Sequence, residues 1–266
     1  MSCAGRLVFR AMIVISLQSG SNGNCFYVES RGVRLLVDAG ISASQAEQRL
    51  RARDREIRGI DALLISHDHT DHTRSMGTYQ RKFALPVHVT EKTLSAVRRR
   101  TRQGTLSDIR HFFSGDSISL AHLTVETLPT PHDGVDGVGF VIDDGARRLG
   151  ILTDLGHVFD GLSDLLQTLD AVVIESNYDP KMLEQGWYPE RLKQRIRGPG
   201  GHLSNQESAE LLSGLGAGRL QWACLAHLSE KNNEPALAVR AHRKLLGDHL
   251  MIYVASRHQA SDCMEV

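Results

Sequence analysis

The chain has 266 residues, 41% of them hydrophobic, with 31 Lys plus Arg against 31 Asp plus Glu and a formal net charge of +0. That is enough apolar material for a full core, which excludes a disordered or fibrous chain. The charge balance excludes a global pull toward nucleic acid or membrane, so any polyanion contact must come from a local basic patch. No stretch reaches the ~20 apolar residues of a membrane span. Cys3, Cys25, Cys224 and Cys263 form no C-x-x-C pair and no disulfide framework, and this suits a reducing cytoplasm.

In chain order, residues 1–11 read as a disordered N-terminal extension and 12–266 as a single domain, with Met12 an alternative start. The short apolar run from Met12 to Leu17 has no small-x-small cleavage site and reads as strand rather than signal peptide. Ile13 to Leu17, Asn24 to Glu29 and Arg34 to Val37 are β-type runs separated by Gly20, Gly23 and Gly32. A helix is predicted over 44–55, strands at Ala62 to Ser66 and Val87 to Val89, and a helix over 91–103. Ser117 to Leu128 alternates as a long strand or a strand pair, and Thr130 to Gly134 is a loop.

The second half repeats the pattern. Strands are expected at Val138 to Ile142, Leu149 to Thr153 and Ala171 to Glu175, with a helix over Leu162 to Leu169 between the last two. Helices follow near 180–197 and 205–214, then the strand Gln221 to Ala226, a helix over 234–246 and a last strand from Met251 to Ala255. Strand-rich halves that each finish with helices, without a linker, read as one α/β domain, a four-layer αβ/βα sandwich.

His67-Asp68-His69-Thr70-Asp71-His72 packs three imidazoles and two carboxylates into six residues, directly after the apolar run Ala62-Leu63-Leu64-Ile65. A strand ending in so many ligand groups delivers them together at one sheet edge. Imidazole and carboxylate bind zinc and other borderline divalent ions, so the stretch points to a two-metal site. His132, Asp154 and His227 each lie just past an apolar run as well. Any one alone reads as a capping or loop residue, whereas beside the cluster all three read as further ligands.

The run H-x-H-x-D-H, followed by a single His, a single Asp and a single His, resembles the metallo-β-lactamase fold superfamily over the whole length from Met12. The resemblance implies that His67, His69 and His132 hold one metal, that Asp71, His72 and His227 hold a second, and that Asp154 bridges them. A His-rich site with carboxylates accepts zinc or manganese, with iron a further choice. Ser16-Leu17-Gln18-Ser19-Gly20-Ser21-Asn22-Gly23-Asn24 is similar to the opening of the YycJ/WalJ branch. So are Glu175 to Asp179, Gly186 to Arg195, Gly201 to Asn205 and His227 to Asn233. Membership of that branch implies a nucleic-acid phosphodiesterase, with exonuclease action on DNA more than RNA. Tyr178 stands where the branch commonly has His, a departure that bears on metal preference if that His binds metal. His202-Leu203-Ser204 ahead of His227-Leu228-Ser229 also resembles ribonuclease Z.

For a phosphodiester, two ions would supply hydroxide between them near neutral pH and neutralise the non-bridging oxygens. On this reading Asp71 positions the nucleophile and accepts its proton, and His202 protonates the leaving oxygen. His202 has an alternative reading as a residue that opens a helix capped by Ser204 or Asn205. Asp68 is expected to orient an imidazole. Ser19, Ser21, Asn24 and Asn177 are candidate substrate contacts, although a plain hairpin turn also explains the first three. The runs Arg98 to Arg102 and Lys193 to Arg197 could follow a nucleic-acid backbone or be solvated helix faces. The competing functions are hydrolysis of a small ester, lactone or thioester at the same metals, and a catalytically silent nucleic-acid-binding subunit.

Overall fold

Alternation along each strand sorts the apolar side chains onto two faces, and three separate clusters result. The computed structural model describes residues 11–216 and 218–266; of the extension expected at 1–11, all but Ala11 lies outside the described residues. The first sheet is built from β1 (Ile13–Gln18), β2 (Cys25–Ser30), β3 (Val33–Val37), β4 (Ala62–Leu64), β5 (Val87–Val89) and β6 (Ile109–His111), with the helices α1 (Ala43–Arg51), α2 (Thr70–Thr73), α3 (Met76–Phe83) and α4 (Glu91–Arg100) between them. The second takes β7 (Ser117–Leu120), β8 (Leu123–Pro129), β9 (Val138–Asp143), β10 (Arg148–Leu152), β11 (Ala171–Glu175), β12 (Trp222–Ala226) and β13 (Met251–Val254). Its helices are α5 (Leu162–Gln167), α6 (Pro180–Gln185), α7 (Glu190–Arg197), α8 (Asn205–Ser213) and α9 (Pro235–Leu246), and β14 (Met264–Glu265) returns to pair with β1.

Val14, Phe26, Val28, Leu35 and Leu64 from the first sheet meet Val125, Phe140, Ile151, Val173 and Cys224 from the second in a shared buried layer. Ile15, Tyr27, Leu36 and Leu63 point the other way, onto Leu50 of α1, Tyr79 of α3 and Leu94 of α4. Val172, Ile174 and Leu225 likewise face Leu166 of α5, Leu212 of α8 and Ala238 of α9. This is the expected four-layer αβ/βα sandwich. Each fully buried Leu, Ile or Phe contributes roughly 1.5–3 kcal/mol to it.

The two sheets repeat one another. In the first, β1-β2-β3 are antiparallel neighbours and β3-β4-β5-β6 are parallel. In the second, β8-β9-β10 are antiparallel and β10-β11-β12-β13 parallel. The carboxyl ends of β1, β3, β4, β8, β10, β11 and β12 therefore open toward one edge of the sandwich, where open α/β sheets place their sites.

Some elements differ from expectation. α2 and α3 are not among the expected elements. α2 is a single turn without a period, whereas α3 buries Met76, Tyr79 and Phe83 on one face at helical spacing, and Gln103 ties it down by accepting from Gly77 N and donating to Thr73 O. β6 and β14 are only three and two residues long, too short for a pattern. The helix expected over 180–197 breaks into α6 and α7 at Gly186-Trp187-Tyr188-Pro189. No described helix is long and apolar enough to cross a membrane.

Candidate metal centre

Beyond β4 the chain runs through His67 and His69 into the single turn α2, which carries Asp71 and His72. His132 follows β8 after Pro129-Thr130-Pro131. Three further acidic or imidazole residues leave their strands in the left-handed backbone region: Asp38 after β3 (φ 66), Asp154 after β10 (φ 56) and His227 after β12 (φ 56). Each costs about 1–2 kcal/mol against an ordinary conformation, and strain of this kind gathers at functional sites. Asp38 and Asp154 hold equivalent places in the repeated six-strand unit. Gly40 lets the chain pass directly against α2, because a Cβ there would meet the Asp71 carbonyl oxygen at 1.6 Å.

The side chains named from the sequence converge. Ligand atoms of His67, His69 and His132 lie within 4.8 Å of one another, as do those of Asp71, His72 and His227. Asp154 forms a third such group with one member of each triplet, His67 and His72. Its Oδ1 lies 3.6 Å from both His132 Nε2 and His227 Nε2, and its Oδ2 3.2 Å from His72 Nε2. Among the described residues, His88, His111, His122, His157, His242, His249 and His258 join no such group.

Neighbours hold these ligands by their far sides. His72 Nδ1 lies 2.7 Å from Asp38 Oδ2, and His132 Nδ1 2.8 Å from Gly201 O. Ser66 Oγ donates to Asp38 and lies 3.0 Å from His67 Nδ1. Asn177 Nδ2 donates to His227 O and lies 3.0 Å from His227 Nδ1. Asn24 Nδ2 donates to Gly20 O and reaches His72 Nε2 at 3.0 Å and Asp71 Oδ2 at 3.3 Å. Ser19 Oγ donates to Asn24 Oδ1 and accepts from His227 N. Ser19 and Asn177 are thus buried behind His227, Asn24 is buried against the ligating edges of His72 and Asp71, and Ser21 is exposed on the cleft wall. Asp68 turns away from the imidazoles: it accepts from Val135 N and pairs with Arg100 Nη1 at 2.6 Å. Asp38 does the orienting assigned to Asp68.

Glu175, the last residue of β11, carries a role that the sequence motifs left unassigned. Its fully buried carboxylate accepts from Leu155 N and Leu203 N and lies 2.6 Å from His202 Nδ1. His202 lines the same cleft as Asp71, Asp154 and His227, with Arg100 and Arg195 at its mouth. The donor set fits divalent cations. His67 Nε2 is buried without a hydrogen-bond partner, and an unpaired buried acceptor is costly unless an electrophile meets it.

Residues 33–223 match the beta-lactamase superfamily domain. The chain is 36% identical over 226 residues to exodeoxyribonuclease WalJ of Streptococcus pneumoniae, covering 84% of this chain and 83% of that one. It is 34% identical to exodeoxyribonuclease YycJ of Bacillus anthracis over 84% of each chain. The chain belongs to the metallo-β-lactamase superfamily, on the branch of WalJ and YycJ. The metallo-β-lactamase fold protein YhfI of Bacillus subtilis has the same fold, with a TM-score of 0.73 at 17% identity over 95% of this chain and 99% of that one. Tyr178, where the resemblance led to an expectation of His, stays out of the ligand groups. It is buried, pairs its backbone with Ser204, and belongs to no cluster of metal-binding groups among the described residues.

Electrostatics in this superfamily centre follow from burial and close carboxylates. Burial, with His72 beside it, holds His67 well below its ordinary value. Burial also opposes protonation of His72 and His227, but Asp38, Asp154 and Asp71 outweigh it at His72, and Asp154 and Asp71 at His227. His72 is raised well above the ordinary range, and His227 to about 9. Asp154 stays well below the carboxylate range despite burial, because His227 and His72 face it. Without metal the centre is an ion-pair network, and cation binding must displace the imidazolium protons.

The sign of the pH dependence follows. A raised histidine stabilises the fold fully below its unfolded value of 6.5, and that contribution is lost as pH rises through about 9. Chelator-treated protein is therefore expected to melt lower at about pH 9.5 than at about pH 6.5, and metal-loaded protein to lack this alkaline loss. Thermal melts at both pH values check it. An equal alkaline loss with metal bound would assign it to other groups.

Proposed function

We propose that this chain is a dinuclear metal-dependent phosphodiesterase that removes nucleotides from DNA ends, with His67, His69 and His132 holding one ion, Asp71, His72 and His227 the other, and Asp154 between them. Zinc or manganese suits imidazole with carboxylate, and iron is compatible. When bound, the ions supply a nucleophile near neutral pH and offset charge on the non-bridging oxygens. The observation that carries the reading is His202, held by Glu175 at 2.6 Å in the cleft where the two clusters meet. The likeness to proteins named as exodeoxyribonucleases points the same way.

This chain's own residues then divide the work. Asp71, whose carboxyl stays below its usual range because His72 and His227 outweigh burial, is ionised at working pH. It orients the attacking water and takes its proton. With Nδ1 engaged by Glu175, His202 is left with Nε2 to protonate the leaving oxygen. Arg100 and Arg195, steadied by Asp68 and Asp133 at 2.6 Å each, line the cleft and contact the phosphates. Ser21 adds a hydroxyl on the wall. A cleft lined by arginine and histidine suits an anionic polymer better than the apolar acyl group of a small ester or thioester. We place the activity in the cytoplasm.

The test is cleavage of end-labelled linear double-stranded DNA with manganese or zinc, beside Asp71→Ala. Wild-type chain should shorten the DNA stepwise, and Asp71→Ala should not, with about one ion lost per chain as its ligand set falls short. No cleavage with any metal, despite two bound ions, would refute the DNA reading.

A further inference from the structure

The break between α6 and α7 presents Trp187 to solvent. Its side chain is 75% exposed, with the Tyr188 ring beside it at 5.0 Å and nearly perpendicular. Burying a tryptophan is among the larger gains open to a chain, so an exposed one at a helix start suggests a partner that covers it. α7 then carries Arg191, exposed and without an ion pair among the described residues, and one turn later Arg195, which lines the metal cleft. Residues four apart share a helix face, so the two guanidinium groups form one track that ends at the cleft. Arg195 is held at the cleft by Asp133, Lys193 Nζ donates to Glu184 O, and Arg197 pairs with Glu184 and Glu190, so Arg191 is the basic residue of α7 left unpaired among the described residues.

The distance is short. At ~1.5 Å per helical residue and at most ~3.4 Å per extended one, Trp187 lies within about 20 Å of Arg195 along the chain. That is the reach of the first few nucleotides of a strand whose end sits in the cleft.

We propose that Trp187 is a base-stacking platform for single-stranded DNA, with Arg191 and Arg195 carrying its phosphates from the platform to the cleft. The proposal rests on the nuclease reading and names the form of its substrate: a frayed or overhanging strand rather than a closed duplex. An aromatic face beside a basic track is the combination by which proteins hold single strands without reading sequence. Because the ring is exposed, its removal leaves no cavity, and the fold should be unaffected.

The chain supplies its own probe. It has two tryptophans, and Trp222 is buried, its indole N–H donating to Glu265 O. Quenching by an added oligonucleotide therefore reports on Trp187. In the full chain carrying Asp71→Ala, to prevent cleavage, oligo-dT should quench the exposed tryptophan saturably, and a closed hairpin duplex should quench it much less. Adding Trp187→Phe should remove that signal. In the cleaving enzyme, Trp187→Ala should raise KM for overhang-bearing DNA roughly 5- to 100-fold, the range for loss of one stacked base. The loss should fall on KM rather than kcat, and Trp187→Phe should restore most of it.

Unquenched emission with labelled oligo-dT demonstrably bound, or an unchanged KM in an enzyme that degrades DNA, would overturn the platform while leaving the nuclease reading intact. Failure of wild-type chain to cut DNA with any metal would instead sink the nuclease reading, and quenching would still decide the platform. Quenching by oligoribonucleotide alone would overturn DNA as the occupant.

Discussion

Asp154→Ala is expected to empty both metal positions at once and to drop DNA cleavage by roughly 10³-fold or more, since water must then be used at its bulk pKa rather than near 7. The carboxylate lies between the two triplets, at 3.6 Å from His132 and 3.2 Å from His72. It is buried, and its removal leaves His72 and His227 facing each other across the gap with less negative charge between them. The consequences should be separable from misfolding. Residues 155–175 anchor through Leu155 N to Glu175 and through the β10–β11 pairing, neither of which uses the Asp154 side chain. Metal content by atomic emission and a melt without metal form the pair of measurements. Loss of one ion with the other retained would place Asp154 in a single site rather than between two.

Much of this centre was legible because strands and ligands share a rule: each ligand follows an apolar run at its carboxyl end. The apolar runs that become β1 and β11 could be read directly, whereas the sorting of Val14 from Ile15, or Val173 from Ile174, onto opposite faces could not, since both members of each pair are apolar. Applied once more, the same rule would have found Asp38, which ends the run Leu35-Leu36-Val37 and meets His72 at 2.7 Å. Asp68 was the more tempting choice because it sits inside the cluster, but on leaving a strand neighbouring side chains point apart, and its carboxylate faces Arg100 instead. Ser19, Asn24 and Asn177 show the limit more sharply. A glycine-bearing loop beside a metal cluster suggests contact with phosphate, yet only the three-dimensional register reveals that Ser19 and Asn177 brace the back of His227 and that Asn24 reaches His72 Nε2 and Asp71. The short elements α2 and β6 were invisible for another reason: at four and three residues they are too short for a period to show, whereas α3 carries one in Met76, Tyr79 and Phe83 that went unread beside the His cluster.

His202→Ala addresses the step that separates a phosphodiesterase from a mere metal site. The expected result is a fall of about 10²–10⁴-fold in DNA cleavage, the usual contribution of a general acid, with both ions retained. Ser204 does cap α8, in a complete capping box with Glu207, as the alternative reading of His202 expects, while the backbone N–H of His202 donates away from α8, to Ile196 O. What its side chain does have is Glu175, which fixes the ring in the cleft. A substrate with a nitrophenolate leaving group needs little protonation, so His202→Ala should hydrolyse bis-nitrophenyl phosphate at nearly the wild-type rate while failing on DNA. Equal losses on both substrates would make His202 a phosphate contact rather than a proton donor. An unchanged rate on DNA would remove it from the reaction, and the Glu175–His202 pair would then be only a brace between β11 and the segment leading into α8.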